Sequence, residues 1–193
     1  MNEYQDRRVR KSKKSLKKAL MSLLKQQNLQ HITVMEIVTK ADVNRGTFYK
    51  HYQYKEQLLE DMVDDVIADL IVSYREPLHQ FKELNVDNLT GSSIKIFEHV
   101  ASYSDFYTVI AKSNALEGLQ SRICHKLKDL MKEAASSQQP NQDIDLDLIA
   151  SYQAYAVWGL IIEWIQQDFK FSSSYMANQF LAILQMNRHI LAE

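Results

Sequence analysis

The sequence of 193 residues is poor in the residues that staple or punctuate a chain, with one cysteine, two prolines and four glycines. A lone Cys124 excludes an internal disulfide framework and the cysteine-rich zinc modules, and it suits a reducing compartment. The basic N-terminal stretch "MNEYQDRRVRKSKKSLKK" lacks an apolar core and a small-residue cleavage site, and no apolar run is expected to span a membrane. A cytoplasmic protein with no membrane partner is the expectation. Catalytic signatures are missing as well: there is no Walker loop, no dinucleotide glycine fingerprint, no H-E-x-x-H and no G-x-S-x-G. An enzyme is therefore not expected. Cys124, His125 and His99 are the only candidates for a metal site; adjacent helical residues point about 100° apart, so no metal and no cofactor is expected.

What the sequence does have is charge sorted by position. Through Lys55 it carries 13 Lys+Arg against 4 Asp+Glu, and after Lys55 the count is 10 against 20. A basic N-terminal unit facing a polyanion and an acidic remainder facing none is the simplest physical reading. Apolar residues recur at helical spacing throughout and no β-type alternation persists, which makes the fold all-α.

The first helix is expected to run to about Gln27, with Leu16, Leu20, Leu23 and Leu24 in one stripe. Thr33 and Glu36 have the spacing of a capping box, with Ile32 and Ile37 placed as a hydrophobic staple, so a short helix follows from Val34 to about Lys40. Asn44 repeats the grammar as the N-cap of a helix over Arg45–Tyr52, with Val43 and Phe48 at the staple positions. Two capped helices joined by "ADVN" form a helix-turn-helix, whose second helix is built to enter a DNA major groove.

A longer helix starts near Lys55, with Leu58, Leu59, Met62, Val63, Val66, Ile67, Leu70 and Ile71 on its apolar side, and Pro77 is expected to end it. Its outer face, with Glu60, Asp61, Asp64, Asp65 and Asp69, would be repelled by phosphate. Further helices are expected from 89 to 103, from Asp105, and from Leu116 to about Ala135. Two more are expected over Leu146–Asp168 and Tyr175–Leu191, after a loop centred on Pro140.

The second short helix carries the chemistry. With Phe48 and Tyr52 holding its core face, Arg45 on the first turn can bind guanine O6 and N7 with its fork, while Lys50, His51 and Lys55 meet phosphates. In this stretch, "ITVMEIVTKADVNRGTFYKHYQYKEQLL", the chain resembles the DNA-binding domain of TetR-type (TetR/AcrR family) transcriptional regulators. The likeness rests on Thr33 opening the second helix, "ADV" in the turn, Gly46-Thr47-x-Tyr49 on the third, an aromatic at Tyr52, and Lys55 with Leu58 opening the fourth. It implies phosphate contacts from Thr33, Tyr49, Lys50, His51 and Lys55, and a base-facing side formed by Arg45, Gly46, Thr47 and Tyr49. Asp42 stands where the family usually has Gly.

The resemblance further implies an N-terminal three-helix DNA-binding domain (1–55) and a helical ligand-binding and dimerisation domain (56–193) joined through the long fourth helix. The implied function is a ligand-released repressor that binds a pseudo-palindromic, double-stranded operator as a homodimer. Activation by the same fold, or a helical protein-interaction module without DNA binding, are the alternatives. A small-molecule effector would be lined by Phe97, Tyr103, Phe106, Tyr107, Tyr152, Tyr155 and Trp158, although an aromatic stripe at helical spacing is more often plain core. "AYAVWGLIIEWI" is apolar almost all round and needs a covering partner. Trp164, Met176, Phe180, Ile183, Leu184 and Asn187 are the expected dimer residues. The run Arg7–Lys18 is read as an arm against the DNA backbone, with an anionic membrane surface as the rival.

Overall fold

The computed structural model describes residues 3–80, 90–91, 94–112, 118–136 and 145–190. They are built from helices α1 (Glu3–Leu24), α2 (Val34–Ala41), α3 (Arg45–Tyr49), α4 (Lys55–Gln80), α5 (Ile96–Ser102), α6 (Ser104–Lys112), α7 (Leu119–Ser136), α8 (Leu146–Gln166) and α9 (Ser173–Ile190). No strand occurs among the described residues. A 3-10 turn at Leu29–His31 joins α1 to α2. The chain divides into two compact units, and the division falls inside α4, between Val66 and Ile67.

In the first unit, α1 packs on α2 and α2 on α3. The core is the apolar stripe read from spacing: Leu16, Leu20, Ile32, Ile37, Phe48 and Leu58 are fully buried. In the second unit, α7 packs on α8 and α5 on α9. Here Phe97, Tyr107, Ile123, Leu127 and Trp164 form the interior. Gly91 touches α9 closely, since a Cβ there would lie 1.8 Å from Asn178 Oδ1.

Three expectations change. Helix α4 continues through Pro77 to Gln80. Proline forfeits one amide bond and disturbs the carbonyl a turn earlier, which bends a helix without obliging it to stop. The α5 segment begins only at Ile96, well after residue 89. Helix α8 is, by length and composition, apolar enough to cross a membrane, although no such run was expected. Its buried residues Ala150, Ala154, Val157, Trp158, Ile161, Trp164 and Ile165 lie at helical spacing, the signature of one face turned into a core. The expected loop around Pro140 and the helix break near Asn114 lie outside the described residues.

Candidate functional site

The helix-turn-helix is held by side-chain caps. The Thr33 hydroxyl accepts from Glu36 N at 3.2 Å, and the Glu36 carboxylate accepts from Thr33 N at 2.7 Å and from the Thr33 hydroxyl at the same distance. Those bonds, first the one from the Thr33 backbone amide, hold the Glu36 carboxyl below its ordinary pKa. Asp42 then closes α2 in the left-handed region, at φ 52° and ψ 50°. That conformation favours glycine, which explains the family's usual residue, and a short polar side chain tolerates it. Two residues on, Asn44 Oδ1 accepts from Gly46 N at 2.8 Å and starts α3.

The α3 helix has five residues, shorter than the expected Arg45–Tyr52. Residues 50–52 continue as a turn, with the amides of His51 and Tyr52 both donating to Phe48 O. The anchors behave as expected: Phe48 and Tyr52 are buried, their rings 5.7 Å apart. Arg45, Gly46, Tyr49 and Lys50 are exposed, while Thr47 and His51 are half-buried at the edges. Arg45 lies with its guanidinium carbon 5.5 Å from the Tyr49 ring centre and donates weakly to the Tyr49 hydroxyl at 3.4 Å. Gly46 leaves room for the cap, since a Cβ there would stand 3.3 Å from Asn44 Oδ1.

Two residues expected to contact phosphate also have surroundings within the chain that the sequence did not announce. Lys55 Nζ donates to Leu29 O at 2.7 Å, Gln30 O at 3.1 Å and Ile32 O at 2.7 Å. Its three protons are thus used to clasp the turn between α1 and α2, which leaves no donor for a phosphate. His51 is held below its ordinary pKa by burial and by the charges of Lys13 and Lys50, so at neutral pH it offers an N–H without a positive charge.

The basic run on α1 is divided. Arg7, Arg8, Arg10, Lys11, Lys14 and Lys18 are exposed, whereas Lys13 and Lys17 reach the acidic side of α4. Lys13 donates to Asp61 at 3.2 Å and Lys17 to Asp65 at 2.6 Å, and the Tyr52 hydroxyl donates to Asp61 at 2.5 Å. Burial would raise the Asp61 pKa, but these bonds outweigh it and hold the carboxyl below its ordinary value. The acidic face of α4 is therefore partly an internal counter-charge for α1.

In the second unit the expected pocket residues separate into two sets. Phe97, Tyr103, Phe106, Tyr107 and Trp158 are buried or half-buried. Tyr152 and Tyr155 are 65% and 58% exposed on the outer side of α8, so they line no interior of this chain. The dimer candidates also divide. Trp164 is buried, donates from Nε1 to Phe171 O at 3.0 Å and meets the rings of Phe97 and Phe169. Met176 is buried too, and the half-buried Phe180 packs its ring on Phe97. These three belong to the chain's own core, which an apolar helix also needs. Ile183 is exposed and Leu184 half-buried, while the side chain of Asn187 lies outside the described set.

One polar chain inside this unit was not legible in the sequence. His99, on α5, is 3% exposed and bridges Asp69 on α4, at 2.9 Å from Nδ1, and the Tyr107 hydroxyl on α6, at 2.9 Å from Nε2. Burial lowers the His99 pKa despite the Asp69 carboxylate, so the ring is neutral. A carboxylate only accepts; Nδ1 therefore carries the proton and donates to Asp69, and the Tyr107 hydroxyl donates to Nε2. No cluster of metal-ligating side chains occurs among the described residues.

Against known proteins, residues 16–62 match the family model for bacterial regulatory proteins of the tetR family, and residues 87–186 match a TetR-type model described as a transcriptional regulator C-terminal region. The uncharacterized HTH-type transcriptional regulator YxbF of Bacillus subtilis (strain 168) is 23% identical over 176 residues, covering 90% of this chain and 44% of YxbF. The chain thus spans less than half the length of that relative. The HTH-type transcriptional repressor KstR2 of Mycolicibacterium smegmatis is 24% identical over 166 residues, covering 81% of this chain and 80% of KstR2. A TetR transcriptional regulator from Streptococcus agalactiae 2603V shares the fold, with a TM-score of 0.65 and 21% identity over 93% of this chain and 97% of that one. Such relatives are regulators and not enzymes. With its two capped helices, its all-helical remainder and a family match over more than half of its length, the chain belongs to the TetR family of transcriptional regulators.

Proposed function

We propose that this protein is a ligand-released repressor that binds a pseudo-palindromic operator as a homodimer in the cytoplasm. The observation that carries the reading is the exposed side of α3, where Arg45, Tyr49 and Lys50 face outward while Asn44 caps the helix and Phe48 and Tyr52 anchor it. In the major groove Arg45 would read a guanine, Lys50 and the exposed basic side of α1 would neutralise phosphates, and Gly46 would permit close approach. Repression is supported by the likeness to KstR2, a transcriptional repressor. Effector release requires a ligand with unequal affinity for the DNA-competent and DNA-incompetent states, because equal affinity shifts nothing.

Selection of bound DNA from a random pool tests this directly. Two inverted half-sites spaced by about one helical turn or a multiple are expected, with affinity that falls steeply as salt rises. Arg45→Ala should relax preference at one base position per half-site by ~1–3 kcal/mol, and Lys50→Ala should weaken all sequences alike. Recovery of no preferred sequence, or an equal loss on every sequence for Arg45→Ala, would remove the base-reading role.

A further inference from the structure

Among the described residues, the interior of the second unit holds one polar hydrogen with nothing to receive it. Trp158, on α8, is 3% exposed, and its Nε1 meets no acceptor among the described residues. Trp164 on the same helix shows the ordinary outcome, with its Nε1 bonded to Phe171 O. An indole N–H is a donor only, and leaving it dry and unbonded forfeits its hydration, so a native structure that keeps one needs a reason.

The surroundings narrow what could accept it. The Tyr107 ring centre lies 6.3 Å from that of Trp158, and Phe106 packs edge-on against Tyr107 at 5.6 Å. The Tyr107 hydroxyl donates to His99, which Asp69 holds in place from its other nitrogen, and the phenol oxygen makes no bond with Trp158 Nε1. This neighbourhood is aromatic and suits an apolar body. Among the described side chains no lysine or arginine is buried. No buried cation is therefore present there to compensate an anionic head, and one neutral N–H is too little to offset the desolvation of a carboxylate.

We propose that Trp158 Nε1 is the anchoring donor of an effector site, and that its ligand has an apolar body and a neutral acceptor oxygen of the ketone, ester or amide kind. This rests on the effector-binding role proposed above for the C-terminal region. A carbonyl placed on Nε1 supplies the acceptor that this donor lacks, so the ligand is selected by its oxygen as well as by its apolar surface.

The probes are 2-alkanones from pentanone to tridecanone, each paired with the alkane of the same length. The protein has two tryptophans, so a proton–nitrogen spectrum of the full chain shows two indole signals, assigned with Trp158→Phe. A fitting ketone is expected to move the Trp158 signal downfield and leave the carbonyl-bonded Trp164 signal in place. It should also bind about five- to tenfold more weakly to Trp158→Phe, while the paired alkane binds both proteins alike. No ketone in the series moving the Trp158 signal, or equal ketone affinity for both proteins, overturns the proposal. So does a Trp158 signal already downfield without ligand, since an ordered water would then hold the donor. Should Trp158→Phe fail to fold, Trp158→Tyr supplies the assignment, and the ketone and alkane spectra of the native chain then decide. Operator binding is measured separately: loss of all DNA binding would defeat the regulator reading, whereas intact DNA binding with no ketone response defeats only this site.

Discussion

Lys55 holds the fold at a position that the sequence marks for a phosphate contact. Its ammonium satisfies three carbonyls of the turn that sets α2 against α1, two of them part-buried. Hydrogen bonds to a charged donor contribute more than neutral ones, and carbonyls deprived of it lose their partner. Lys55→Met keeps the aliphatic stem and is expected to lower unfolding stability by roughly 1–3 kcal/mol, read from the midpoint of urea denaturation. A variant as stable as the native chain that binds DNA weakly would return Lys55 to the phosphate. The caps at Thr33 and Asn44 were legible because their partners stand two or three residues away. The bonds of Lys55 reach across 23 to 26 residues and that of His99 to Asp69 across 30, and no local pattern announces them.

Among the elements, the link between α1 and α4 joins charges that the sequence sets apart as a basic run and an acidic face. Both runs were visible; their mutual neutralisation was not, because it depends on which sides of two helices meet. Asp61 sits at the centre, receiving bonds from Tyr52 and Lys13. Its pKa is depressed in the folded chain, so its contribution is fully present well above the ordinary Asp value of about 3.9 and is lost as pH falls through the lower folded value. Asp61→Asn should therefore lower stability at pH 7 and flatten the fall in urea midpoint below about pH 5. An unchanged acid limb would place the acid sensitivity elsewhere. Helix lengths were less legible than helix positions: Pro77 does not stop α4, and α3 ends at Tyr49, because propensity weighs less than the packing around a helix end.

For the whole molecule, the all-α class and the sorting of charge followed from composition and period alone. The covering of α8 did not, since an all-round apolar helix does not tell which side meets its own chain. The structure divides it: Trp158 and Trp164 face inward, while Leu148, Tyr152 and Tyr155 stay exposed, as do Tyr175, Ile183 and Met186 on α9. Exposed apolar stripes on the last two helices suit a partner copy. Tyr155→Glu combined with Ile183→Glu is expected to halve the mass measured by light scattering, with helical content retained by circular dichroism. A mass unaltered by the pair would take these stripes out of the interface.

The brevity of α3 has a consequence for how such a regulator changes over generations. Its shape is imposed from outside by the Asn44 cap and by the buried Phe48 and Tyr52, while Arg45, Tyr49 and Lys50 contribute little to the fold. The outward positions can drift without unfolding the domain, so under the proposed operator-reading role a lineage can acquire a new target sequence while inheriting its scaffold intact.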